Sequence, residues 1–267
     1  MIHAGKKNVL GIWVDAVDRE AAVELIAEAA RCRRPLSVTA LAVHGLMMGV
    51  LDKEQRYRLN SFDLVLADGQ PVRWALNWLH KAGIGERVYG PDLTLALCER
   101  AEREGLPVYL YGSTREVLSR LRETLSRRFP RLVFAGMASS KFGRLTAEQR
   151  EEVRTRIRES GASIVFAGLG CPRQEVWAYE FRGLLDVPII AVGAAFPLLG
   201  GTLRQAPRWM QDRGLEWLFR FSREPLRLWS RYLLLNPMYL FLLLLQALGV
   251  LRFRNGGRPP TKELLFG

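Results

Sequence analysis

Ile164-Val165-Phe166-Ala167-Gly168-Leu169-Gly170-Cys171-Pro172-Arg173-Gln174-Glu175 reads as a buried strand, a glycine turn and the opening of a helix. A short apolar run bounded by glycine has the length of a strand rather than a helix. Glycine lets the backbone approach a ligand closely, and the helix that follows offers unpaired N–H groups to an anion. Gln174 is placed to donate to a phosphate or a sugar, and Glu175 to complement the helix dipole. The same pattern recurs on both sides of this junction. Apolar runs at 9–14, 36–40, 64–67, 108–111, 132–135 and 189–192 alternate with helical periodicity at 18–31, 43–57, 71–80, 92–104, 115–128, 146–159 and 173–185. That alternation predicts an α/β fold, a mostly parallel sheet with helices on both faces and ligands beyond the carboxyl ends of its strands.

Three more strand ends carry residues suited to such a ligand. The run at 108–111 leads into Gly112-Ser113-Thr114, and that at 189–192 into Gly193-Ala194-Ala195. Gly112, Ser113, Gly168 and Gly170 are therefore candidate phosphate contacts, or simply tight turns. The run at 64–67 ends on Asp68-Gly69-Gln70-Pro71, which puts a carboxylate in the expected crevice as a general base or sugar ligand, unless it only caps the next helix. Arg87 lies in a loop where it would either pair with a diphosphate or stay a solvated charge. The specific nucleotide motifs are missing: there is no G-x-x-x-x-G-K-[ST], and Gly168-Leu169-Gly170 lacks the third glycine of a dinucleotide site.

The 267 residues include 39 Lys+Arg against 27 Asp+Glu, a formal charge of +12 that calls for an anionic partner: nucleic acid, an acidic membrane or a phosphorylated substrate. Residues 201–267 carry +7 of that excess and include 232–251, which has no charged residue. Arginines beside a Leu-rich run suit an anionic membrane surface better than a nucleic-acid groove. Arg213, Arg220, Arg223, Arg227 and Arg231 would share one helical face, broken where Pro225 begins a second helix. The apolar run from Met238 to Leu251 is about 21 Å long as a helix, short of a hydrocarbon core of about 30 Å, and Asn236-Pro237 is expected to interrupt any longer one. A monotopic or re-entrant segment is the expectation. Three scattered cysteines give no disulfide framework or zinc set, and Asp15 ends the first apolar run before a signal peptide is complete, so a cytoplasmic chain is expected.

The quoted motifs, with Ala67-Asp68-Gly69-Gln70-Pro71-Val72, Arg87-Val88-Tyr89-Gly90-Pro91-Asp92-Leu93, Val192-Gly193-Ala194-Ala195-Phe196, Ala206-Pro207-Arg208-Trp209-Met210-Gln211 and Gly214-Leu215-Glu216-Trp217-Leu218, resemble those of the WecG/TagA/CpsF glycosyltransferases over roughly residues 8–235. The resemblance implies a Rossmann-like catalytic domain, 1–206, and a helical, membrane-associating appendage, 207–267, that completes the active site. It implies an inverting enzyme needing no metal or cofactor. That enzyme would move a hexose or N-acetylhexosamine from a UDP-sugar donor to a polyprenyl-diphosphate-linked acceptor, as a peripheral or monotopic protein on the cytoplasmic face of the membrane, and homo-oligomers are possible. By position, Asp68 matches the general base, and Thr39, Arg87, Gln174, Arg220, Arg227 and Arg231 match substrate-binding positions. Two departures fall at strand ends: no Asn follows Thr39 in Ala40-Leu41-Ala42-Val43-His44, although His44 is a possible substitute, and Pro197 stands where the family has Asp. A noncatalytic nucleotide-sugar-binding scaffold on the membrane and a nucleic-acid-binding protein are the alternatives.

Overall fold

A computed structural model describes all 267 residues. Its strands are β1 (His3–Val9), β2 (Ile12–Val17), β3 (Leu36–Leu41), β4 (Leu64–Ala67), β5 (Val108–Gly112), β6 (Phe134–Ala138), β7 (Ile164–Gly168) and β8 (Pro188–Ala191), and they form one sheet in the order β1-β2-β4-β3-β8-β7-β5-β6. Only β1 runs antiparallel. Nine helices connect the strands or follow the last of them: α1 (Arg19–Arg31), α2 (Val43–Leu51), α3 (Lys53–Asn60), α4 (Gln70–His80), α5 (Gly90–Glu104), α6 (Arg115–Arg128), α7 (Ala147–Glu159), α8 (Arg173–Phe181) and α9 (Ala195–Leu199). Successive strand residues point to opposite faces, so Val65, Val165 and Ile189 enter one core while Leu64, Phe166 and Ile190 enter the other. Both faces are covered, which is why the central strands are apolar without alternation.

Three local readings change. The run at 9–14 is not one strand but the turn of a hairpin, with Leu10 and Gly11 left-handed (φ +54° and +85°) between β1 and β2. Both arms are apolar, so hydropathy alone hides the turn. The helix expected over 43–57 breaks at Asp52, whose carboxylate accepts the N–H groups of Glu54 (2.7 Å) and Gln55 (3.2 Å) and so starts α3. The strand expected at 132–135 begins at Phe134; Leu132 is apolar because it is a core anchor in the preceding link.

Beyond the sheet domain, α10 (Arg208–Asp212), α11 (Glu216–Arg223), α12 (Pro225–Trp229), a π-turn (Ser230–Leu234) and α13 (Leu235–Ala247) cross the carboxyl edge of the sheet. Pro225 begins α12 as expected, but Asn236-Pro237 interrupts nothing: Pro225–Ala247 is one continuous helix, by length and composition able to cross a membrane. Pro237 falls in the first turn of α13, directly after the π-turn, where the backbone register has already departed from the i→i−4 ladder that proline disrupts. Tyr239 and Leu243 are buried against the sheet domain, with the Tyr239 hydroxyl donating to Pro71 O (2.9 Å). Leu240, Phe241 and Leu244 on the other side are exposed. Residues 252–267 then return across the sheet domain.

Candidate active site

The loops after β3, β4, β5, β7 and β8 meet the appendage around a crevice of about 540 Å³. A smaller recess of about 100 Å³ opens between the starts of α2 and α4 and the appendage residues Trp217 and Tyr232. Ala42, Asp68, Glu216, Arg220 and Arg231 border both, so Asp68 stands at the neck joining them. Its side chain does not cap α4, whose N-cap is Gly69. Instead Oδ1 accepts the Gly90 N–H at the start of α5 (2.6 Å). Burial pushes the carboxyl up to about 6, against the pull of Arg87 and the Gly90 N–H.

The floor of the crevice is polar and buried. Gln174 and Glu175 are 3% and 1% exposed. Gln174 Nε2 donates to Glu175 Oε1 at 2.8 Å, and Thr39 Oγ1 donates to the same oxygen at 3.3 Å. Burial raises the Glu175 carboxyl, with hydrogen bonds from Gln174, Cys171 and Thr39 opposing. The donor end of the Gln174 amide is thus engaged, while Gln174 Oε1 and Glu175 Oε2 have no partner. Gln174 Oε1 is itself buried beside Gly193, whose missing side chain leaves it room: a Cβ there would lie 2.7 Å from this oxygen. Glu175 lies in the first turn of α8, as expected of an acid complementing the helix dipole, and is also the group that holds this amide.

The wall is cationic. Arg220, Arg227 and Arg231 all line the crevice, and of these only Arg227 has a carboxylate partner, Glu224. Arg231 is held below its ordinary pKa by burial and by the neighbouring charges of Arg220 and Arg227. Unneutralised guanidinium groups crowded in a recess favour a polyanionic ligand. The basic face expected across the two helices is divided: Arg220, Arg227 and Arg231 turn to the crevice. Arg223 instead covers the Phe219 ring and Arg213 the Trp209 ring. His44, in the smaller recess, is pushed down to about 4 by burial and by Arg231, so it is uncharged at neutral pH.

A model of the family described as glycosyl transferase WecG/TagA/CpsF matches residues 7–252. The chain belongs to the WecG/TagA/CpsF family. It is therefore a glycosyltransferase of cell-surface polysaccharide synthesis, built on an α/β sheet domain with an apolar carboxyl-terminal helix.

The residues assigned by sequence have distinct places in this glycosyltransferase. Asp68, Ser113, Gly168, Gly170, Gln174, Arg220, Arg227 and Arg231 line the crevice; Thr39, Arg87 and Gly112 do not. Thr39 is fully buried behind Glu175, which it holds. Gly112 pairs with Gly168 in the sheet, where a side chain would strike the Gly168 backbone at 2.8 Å, so its glycine is required by strand packing. A side chain on Gly168 would meet the Phe196 ring. Gly170, at φ +79°, has open space above it. Arg87 borders the smaller recess but is spent on an ion pair with Glu216 (2.9 Å), stacked on Tyr89 with 4.0 Å from guanidinium to ring centre. Tyr89 O–H also donates to Glu216 (3.2 Å). Glu216, which sequence reasoning passed over, is thus the appendage's socket for the sheet domain. Its place in Gly214-Leu215-Glu216-Trp217, an acid among appendage arginines, was the available signal. Pro197 lines the crevice, and Ala42 lies where the two recesses join, so both family departures face the site.

Proposed function

We propose that this enzyme transfers a hexose or N-acetylhexosamine from a UDP-sugar to a polyprenyl-diphosphate-linked saccharide, with inversion, at the cytoplasmic face of the membrane. The observation that carries this reading is the carboxylate at the neck between two recesses that share the unpaired Arg220 and Arg231. The larger crevice takes the donor, its diphosphate against Arg220, Arg227 and Arg231. The acceptor hydroxyl enters from the smaller recess. Asp68 removes the hydroxyl proton as the acceptor oxygen bonds to the anomeric carbon and the bond from that carbon to the UDP oxygen breaks. Charge gathering on the departing diphosphate is met by guanidinium groups already in place, so little reorganisation is needed. Gln174, on the floor of the crevice, hydrogen-bonds a hydroxyl or acylamino group of the transferred sugar.

The acceptor's lipid accounts for the outer surface of the appendage, where Leu226, Trp229, Leu233 and Phe241 are exposed near arginines. With Tyr239 and Leu243 packed on the sheet domain, this helix lies along the membrane interface rather than through it. Asp68→Asn keeps the shape and UDP-sugar binding of the site, while turnover falls about 100-fold or more. Near-normal turnover of that variant on a lipid-diphosphate acceptor removes Asp68 from the role of base.

A further inference from the structure

The family match stops at residue 252, yet 253–267 form a continuous strap that runs to the loop between β6 and α7, where Gly267 meets Gly143 and Ser140. Asn8 Nδ2 donates to Phe253 O (2.8 Å), and the Arg258 N–H donates to Lys53 O (3.0 Å), which carries the strap over α3. Farther on, the buried carboxylate of Glu180 in α8 accepts two strap N–H groups, Leu264 at 2.7 Å and Leu265 at 3.0 Å. Both carboxylate oxygens of a largely buried acid are thus satisfied by backbone of the strap, which makes a fitted socket.

What the strap holds is the loop between β6 and α7. Leu145 N–H donates to Leu265 O (2.6 Å), Gly267 N–H to Gly143 O (3.2 Å), and Ser140 Oγ to Gly267 O. Within this loop Phe142 is left-handed (φ +55°), a conformation that a residue with a side chain adopts only when its surroundings hold it there. Phe142 is also the loop's contribution to the crevice lining. Arg173, the first residue of α8, donates to Phe142 O (3.2 Å) and lies over the Phe266 ring, 5.6 Å from guanidinium to ring centre. Phe266, Arg173 and Phe142 therefore tie the strap, the start of the helix bearing Gln174, and the wall of the crevice into one knot.

We infer that residues 263–267 are a positioning clasp, which keeps the loop at 139–145 in its crevice-forming conformation so that the nucleotide meets a finished wall. Without the clasp the loop must order itself as the ligand binds, and apparent affinity falls by the fraction of chains in which the wall is formed. This inference rests on the crevice being the donor site.

The test compares the wild-type enzyme, a chain ending at Lys262, and the Phe266→Ala and Phe266→Tyr variants. It reads hydrogen exchange over 139–145, UDP affinity by calorimetry and the melting temperature. The truncated and Phe266→Ala proteins are expected to exchange faster in that loop and to bind UDP about tenfold more weakly, with Phe266→Tyr unchanged. Unchanged loop protection overturns the clasp, as does wild-type UDP affinity alongside a loosened loop. If the truncated chain does not fold, Phe266→Ala decides. Failure of the wild-type enzyme to bind UDP would count against the donor reading, and loop exchange would still decide the clasp.

Discussion

As the proposed base, Asp68 would set the pH range of the enzyme. Burial pushes its carboxyl up to about 6. A base must be ionised to act, so the transfer rate falls as pH drops through about 6, approaching tenfold per unit, and levels off above it. A pH–rate profile checks this, and a profile with no break near 6 would exclude Asp68 from the chemistry. Gln174, on the crevice floor, makes a separate prediction. Gln174→Ala should leave UDP affinity unchanged while the extra affinity of the UDP-sugar over UDP drops about fivefold, the worth of one hydrogen bond. Asp68 was legible in the sequence because a carboxylate at a strand end has one place to point. The facing of Gln174 was not, because a neighbouring carboxylate, Thr39 behind it and the burial of all three decide which end of the amide is free.

Among the elements, the parallel strands and their helices could be read directly, since a strand buried on both faces is apolar throughout. The β1–β2 hairpin could not, because its turn is made of Leu10 and Gly11 inside an apolar run, and Arg254 from the returning strap packs against Gly11. The docking of α11 was equally hidden: Arg87 and Glu216 are 129 residues apart and pair only in three dimensions. Their side chains are 12% and 16% exposed, so removing one leaves a nearly buried charge alone. Glu216→Ala should cost about 3 kcal/mol in a denaturant melt and should also lower turnover, because α11 carries Arg220. A melt within a few tenths of a kcal/mol of wild type would show that the appendage docks without this pair.

For the whole molecule, the charge of +12 and the apolar face of the appendage fit the proposed membrane docking together. In that reading arginines attract the enzyme to anionic lipid, and exposed Leu and Phe residues hold it there. Replacing Leu240 and Phe241, which are 59% and 60% exposed, by glutamate should lower binding to anionic vesicles at least tenfold without altering UDP affinity. Sedimentation with vesicles measures this, and undiminished binding would place the membrane contact elsewhere. Adding salt should weaken wild-type binding only in part, because the apolar contribution is not screened. The strap has a further consequence for how the protein is made. Asn8, in the first strand pair, takes its partners Phe253 and Asn255 from a segment made long after it, and Asp68 shares its crevice with Arg220 and Arg231 of the appendage. A nascent chain can assemble the sheet before the appendage emerges, but the crevice has no cationic wall until the segment carrying those arginines has been made.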